Sequence, residues 1–131
     1  MTNEEMIQRA ASAIRPRMTK SGLFGDVGCA LLSSESKLYL GVCADSGANV
    51  FCAEQNAMGT MITDGTYRIA KVVAVWKDEH GHVHVIAPCG NCRQMMKEMD
   101  EENLHAEVIL DRDKTVRLEE LLPYHDWWKQ Q

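Results

Sequence analysis

The chain has 131 residues, 45% hydrophobic and 25% charged, with 19 acidic side chains against 14 Lys and Arg and a formal net charge of −5. That length suits one domain spanning residues 1–131 with a single core, and that balance excludes a disordered chain. With no Lys/Arg cluster to meet phosphates and no apolar run long enough to span a bilayer, neither nucleic acid nor membrane is an expected partner.

The segment Met1 to Glu5 lacks a basic region followed by an apolar one, so no secretion signal is expected and a cytoplasmic setting is. Five cysteines in that setting favour metal binding or reactivity over disulfides. Thr2 with Glu5 three residues later forms a capping-box pattern, and Met6, Ile7, Ala10, Ala13 and Ile14 repeat at helical spacing until Pro16. A covering helix is predicted there. After a glycine-rich turn, the apolar runs Val27 to Leu32 and Leu38 to Val42 flank Ser33 to Lys37 and predict a β-hairpin.

Turn residues Asp45 to Asn49 lead to Cys52, beyond which Ala53, Ala57, Met58, Met61 and Ile62 hold an apolar stripe ending near Asp64 and Gly65. Cys52 is predicted to open that helix. Val72 to Trp76 reads as a strand by its β-branched content, turned by Asp78 to Gly81 into a second run, His82 to Ile86. Pro88 and Gly90 start another helix, with Cys92, Met95, Met96 and Met99 on one stripe, which puts Cys89 and Cys92 in one first turn. Ala106 to Leu110 and Thr115 to Leu118 predict a last hairpin, before a short helical piece at Leu118 to Leu122 and a tail with Trp127 and Trp128. Strands alternating with helices in this way predict an α/β fold with a mixed sheet.

Two stretches carry the chemistry: Cys52-Ala53-Glu54 and Pro88-Cys89-Gly90-Asn91-Cys92. They supply three thiols and a carboxylate two positions after the first. Three protein ligands leave a tetrahedral zinc ion one open position, which separates a catalytic site from a structural one. A closed site would need a fourth ligand, and His80, His82, His84, His105 and His125 all lie outside the motifs. His82 and His84 are read as a solvated strand face, the Met95, Met96 and Met99 stripe as core packing, and Cys29 and Cys43 as small buried or half-buried side chains.

C-x-E followed by P-C-x-x-C resembles the zinc deaminase motif. With Cys as first ligand, Phe51 to Glu54 and Ala87 to Gln94 are similar to the cytidine deaminase family, in its short all-cysteine branch that includes blasticidin-S deaminase. The likeness runs to Glu120-Leu121-Leu122-Pro123. It implies a three-layer sandwich with a five-stranded mixed sheet flanked by helices, a Zn²⁺ cofactor, and hydrolytic conversion of a cytosine-type ring to the uracil form with release of ammonia. By the same resemblance Cys52, Cys89 and Cys92 hold zinc, Glu54 shuttles protons, the Ala53 N–H holds the pyrimidine carbonyl, and the Ala87 carbonyl faces the amine.

Arg93 would offset the charge of three thiolates, and Gln55 stands where many relatives carry Arg. The family's spacing puts its ribose-holding Asn and Glu at Gly41 and Cys43, and its pocket Phe is represented by Phe24, one residue out of register. The implied substrate is cytidine, deoxycytidine or an analogue such as blasticidin S. Another small aminopyrimidine is the second reading, and a zinc-stabilised binding module without turnover the third. The resemblance further implies a homotetramer, in which Trp127 and Trp128 either cap a neighbouring subunit's pocket or anchor the tail.

Overall fold

The computed structural model describes residues 1–126; Trp127 and Trp128 lie outside the described residues. The first helix, α1 (Asn3–Ser12), starts on the predicted capping box. Thr2 Oγ1 accepts the Glu5 N–H at 3.1 Å, and Glu5 Oε2 accepts the Thr2 N–H at 3.3 Å. Strands β1 (Arg17–Met18), β2 (Leu23–Ser33), β3 (Leu38–Asp45) and β4 (Val50–Phe51) come next. Helix α2 (Ala53–Thr63), strands β5 (Ile69–Lys77) and β6 (Val83–Ile86), and helix α3 (Gly90–Met99) follow. A 3₁₀ turn at Glu101–His105 leads to β7 (Glu107–Asp111), β8 (Lys114–Arg117) and a second 3₁₀ turn at Leu118–Leu121.

All eight strands join one sheet, whose main path is β4-β3-β2-β5-β7-β8, with β1 added beside β2 and β6 beside β5. The pair β5–β7 is parallel, joined by a connection through β6 and α3, and the other pairs are antiparallel. The α/β class and mixed sheet are as expected, while the count of five strands is too low. The two-residue strands β1 and β4 are too short for alternating hydrophobicity to reveal them.

The sheet lies between two helical layers because its central strands are apolar on both faces. On one face α1 buries Met6, Ile7 and Ala10, with Ile14 just past its end, against Ala30, Val73, Val75 and Ile109. On the other, Cys29, Leu31, Val72 and Val108 pack with Met58, Met61 and Met96 from α2 and α3. Each fully buried Val, Leu, Ile or Met contributes about 1.5–3 kcal/mol, so both faces hold their helices firmly.

Two glycines set how closely the helices approach. A Cβ at Gly28 would lie 2.3 Å from the Ala10 carbonyl oxygen, and one at Gly41 would lie 2.4 Å from the Ala53 oxygen and 2.5 Å from the Ala57 nitrogen. Helix α2 therefore rests directly on the backbone of β3. Asn56 Oδ1 also accepts the Val42 N–H at 3.0 Å, and the Tyr39 hydroxyl donates to Asp64 at the far end of α2 at 2.6 Å.

Helix α3 is anchored by Asn103, which is fully buried. Its Oδ1 accepts the Ile69 N–H at 2.7 Å, and its Nδ2 donates to the Tyr67 and Met96 carbonyls, both at 2.8 Å. The Met96 carbonyl belongs to the last turn of α3, where backbone acceptors lack helical partners. Asn103→Ala would strand one donor and two acceptors, so urea unfolding should show a loss on the order of 3 kcal/mol. A loss under about 1 kcal/mol would mean that water replaces the amide at little cost.

Candidate active site

Cys52 is the N-cap of α2 and Cys89 the N-cap of α3. Both thiols thus sit where a helix's first N–H groups lack intrahelical partners and its dipole favours negative charge. Cys92, in the first turn of α3, donates its N–H to Cys89 Sγ at 3.4 Å. The Cys52 and Cys89 sulfurs are 3.7 Å apart, those of Cys89 and Cys92 3.4 Å, and all three lie within 4.8 Å of one another. Sulfurs placed tetrahedrally at ~2.3 Å from zinc are separated by about 3.8 Å, so the donor set and its spacing fit that ion.

Among the described residues this is the one cluster of three or more His, Cys, Asp or Glu side chains close enough to share a metal. His84 instead bonds Asp78 Oδ2 at 2.8 Å and stacks on Trp76 with ring centres 5.2 Å apart, and His82 is exposed beside it. Met96 is buried, with Met95 and Met99 packed against the same core.

Burial pushes the Cys92 thiol far up, with the Glu54 charge adding to it, and burial pushes Cys52 up too. Burial acts in the same direction on Cys89. Hydrogen bonds from the Cys92 N–H and from the Cys92 and Cys52 thiols outweigh it and hold Cys89 below the usual thiol range. Cys89 is therefore the sulfur readiest to ionise.

Glu54, the second residue of α2, is only 4% exposed, and desolvation raises its carboxyl above the ordinary range. Cys29 is fully buried behind this wall and stays a neutral thiol, raised first by burial and second by Glu54.

Cys52, Ala53, Glu54, Ala87 and Cys89 converge on a cavity of about 300 Å³. Asp26 and Val27 from β2, Cys43, Ala44 and Asp45 from β3, and Val50, Phe51 and Ile86 complete its lining. Cys43 is thus in the wall, where its thiol donates to Asp26 Oδ1 at 3.1 Å and its sulfur accepts the Val27 N–H at 3.4 Å. Phe24 is not among the described lining residues. It pairs with Ala44 and Arg17 ahead of an irregularity between Phe24 and Gly28 that shifts the strand's register.

Gly41 is likewise outside the lining, because α2 occupies the space its side chain would need. The β3 residues that reach the cavity are the expected Cys43 and, beyond it, Ala44 and Asp45. Alternation along β3 is the sequence signal that could have found Asp45, whereas Asp26 follows a β2 irregularity that no periodicity announces.

Arg93 does not direct its guanidinium to a thiol. Its Nε donates to the Pro88 carbonyl at 2.8 Å and its Nη1 to the Leu121 carbonyl at 3.2 Å, tying the metal loop to the second 3₁₀ turn. Gln55 Oε1 accepts the Cys52 N–H at 2.9 Å.

A three-thiol cluster able to hold zinc, a buried carboxylate and a small cavity in front of them are the parts of a zinc-dependent deaminase, a hydrolase. Residues 1–109 match the family model described as "Cytidine and deoxycytidylate deaminase zinc-binding region", and the chain belongs to that family. The cytidine deaminase from Burkholderia pseudomallei is a similar structure: 27% identity, TM-score 0.72, 95% of this chain and 98% of that one. The Mycobacterium tuberculosis cytidine deaminase shares 28% identity at TM-score 0.67, over 95% of this chain and 93% of that one. The Bacillus anthracis enzyme, at 16% identity and TM-score 0.72 over 95% and 89% of the two chains, shares the fold.

Because Cys52 and Cys92 hold their protons more tightly than a free thiol, zinc uptake at neutral pH must displace them. Apparent zinc affinity should therefore rise with pH and fall on acidification, with protons released in unbuffered titration. A pH-independent affinity measured against a competing chelator would contradict this.

Proposed function

We propose that residues 1–131 act as one catalytic unit that deaminates the cytosine ring of a free nucleoside, cytidine or deoxycytidine, or of an analogue such as blasticidin S. The observation that carries this reading is the buried Glu54 carboxylate on the same cavity wall as Cys52 and Cys89. Cys52, Cys89 and Cys92 would hold a zinc ion, which when bound would supply Lewis acidity toward water.

Glu54 accepts a proton from the attacking water and delivers it to the ring nitrogen, then takes the second proton from the hydroxyl now on the ring carbon and passes it to the departing amine as the carbonyl forms. The ring carbon gains oxygen and loses ammonia, so water is the only co-reactant. Burial suits Glu54 to this work, because a carboxyl raised above its ordinary range is a stronger base toward the proton of the attacking water. The Ala53 N–H, at the first position of α2 and without an intrahelical acceptor, is placed to hold the ring carbonyl. The Ala87 carbonyl, following β6, faces the amine.

The absence of any side chain at position 41 supports an altered sugar contact, which is why analogues stand beside cytidine in this reading. The five free cysteines suit a reducing cytoplasm. Partly exposed Val50 and Phe51 beside the cavity suit a homotetramer in which subunits meet near the sites.

Ammonia release from cytosine, cytidine, deoxycytidine, blasticidin S and isocytosine tests the reading. Glu54→Gln should keep zinc and fold while lowering kcat by about 10²–10⁴-fold. Equal rates in the variant and the wild type would assign the site to binding alone.

A further inference from the structure

We propose that Trp76, Met18 and Leu23 form an extension of the active site that binds a flat, uncharged aromatic substituent of the substrate, carried on the ring nitrogen that bears the sugar in a nucleoside. The inference rests on the deaminase reading above and adds a substrate class to it.

The extension follows from how β2 changes partner. On one side β2 pairs with β1 through Leu23 and Phe24, and with β5 from Val27 onward. Gly25 and Asp26, between them, have no strand partner on that side. Gly25 has a φ of 77°, and a Cβ there would lie 3.0 Å from the Arg15 carbonyl oxygen, so the break calls for glycine. The ends of β1 and β5 leave a notch in the sheet, and a groove of about 610 Å³ opens over it. Pro16, Met18 and Leu23 line it from the β1 side and Trp76 from the end of β5.

This groove continues the reacting cavity. Asp26 lines both, and the cross-strand pair Val27 and Trp76 gives one side chain to each. Directly opposed residues of antiparallel strands share a face, and Val27 packs into the core beneath α2 and α3. The indole therefore lies one strand over from the cavity, on the face that carries the thiols. At about 300 Å³ the cavity alone is at the small end of the ~300–1,000 Å³ usual for ligand sites. A ring whose carbonyl and amine meet Ala53 and Ala87 turns its remaining edge to the β2 and β3 wall, where the groove begins.

The groove presents apolar side chains that a fold ordinarily covers: Trp76 is 40% exposed and Met18 72%. The indole is also held in place. His84 stacks on it from β6 with ring centres 5.2 Å apart, and Asp78 pins the hairpin by accepting the His80 and His82 N–H groups, both at 2.9 Å, and bonding His84 at 2.8 Å. A fixed aromatic surface loses little freedom on binding. The charges at the hairpin end, Lys77, Asp78 and Glu79, are of both signs, so the groove favours no ion. An aromatic ring fits between an indole and a thioether, which both favour aromatic neighbours.

The probes are 1-methylcytosine and 1-(phenylalkyl)cytosines with linkers of one to four methylenes, bound to the zinc-loaded full chain carrying Glu54→Gln and turned over by the unmodified enzyme. Affinity should pass through a maximum with linker length, at which the phenyl compound binds at least about tenfold more tightly than 1-methylcytosine. In the unmodified enzyme the gain should appear in KM and not in kcat. Binding should change indole fluorescence, and Trp76→Phe should lose that signal while keeping most of the affinity. Trp76→Ala should remove the phenyl gain. Met18→Glu, at a position exposed enough to tolerate a charge, should weaken the phenyl compounds without moving 1-methylcytosine. Phe51→Ala, on the other flank of the cavity, should leave the linker dependence in place.

Affinity independent of linker length, or a phenyl gain untouched by Trp76→Ala and Met18→Glu, would overturn the inference and leave deamination standing. Linker-independent binding together with loss of an oligomer in Met18→Glu on sedimentation would assign the groove to a second copy of the chain and overturn it likewise. No turnover of any compound, with the Trp76-dependent gain in binding intact, would uphold the groove and count against deamination.

Discussion

Three sulfur atoms carried by two different helices have to lie within 4.8 Å of one another, which requires α2 and α3 to begin side by side on one face of the sheet. The rest of the fold can be read as the means to that end. Gly41 lets the first turns of α2 lie directly on β3, and Asn56 ties the helix to that strand through the Val42 N–H. Asn103 secures the last turn of α3 to the residues around the start of β5, while Arg93 fastens the Pro88 carbonyl just before its first. A shift at any of these points would move a thiol relative to its partners, and zinc tolerates only a few tenths of an ångström in its bond lengths.

Capping explains why a sequence reading reaches this site so directly. Ligands at or next to helix N-caps leave local marks, such as Cys52 before its apolar stripe and Pro88 ahead of Cys89 and Gly90. The capping box of α1 and the long strands β2, β3 and β5 are legible for the same reason, because their patterns span enough residues to show a period. Strands of two residues carry no period, so β1 and β4 escape notice. Asn103 looks like any polar residue in a turn, and only the fold brings Ile69, Tyr67 and Met96 to its amide.

The sugar end of the cavity shows a different kind of failure. Counting back from Cys52 assumes that the connection between β3 and α2 has a fixed length, and it selects Gly41 and Cys43. Cys43 does line the cavity, but position 41 lies under α2, and the strand's next residues, Ala44 and Asp45, complete that wall. Phe24 falls away for a related reason, since the irregularity that follows it in β2 turns Asp26 and Val27 toward the cavity wall. Motif spacing is reliable where one turn of helix holds the residues rigidly, as between Cys89 and Cys92, and unreliable across a loop.

Charge links the metal end of the cavity to the substrate end. Three thiolates around Zn²⁺ carry a formal −1, which weakens the ion's pull on water. Two helix N-termini, each equivalent to about +0.5, offset roughly that amount at Cys52 and Cys89. Arg93 hydrogen-bonds the Pro88 and Leu121 carbonyls, and Gln55 meets the Cys52 N–H with a neutral oxygen. What the caps leave uncompensated is the carboxylates. Glu54 responds by holding its proton more tightly, as burial demands. Asp26 and Asp45, nearer to solvent, line the strand side of the same cavity.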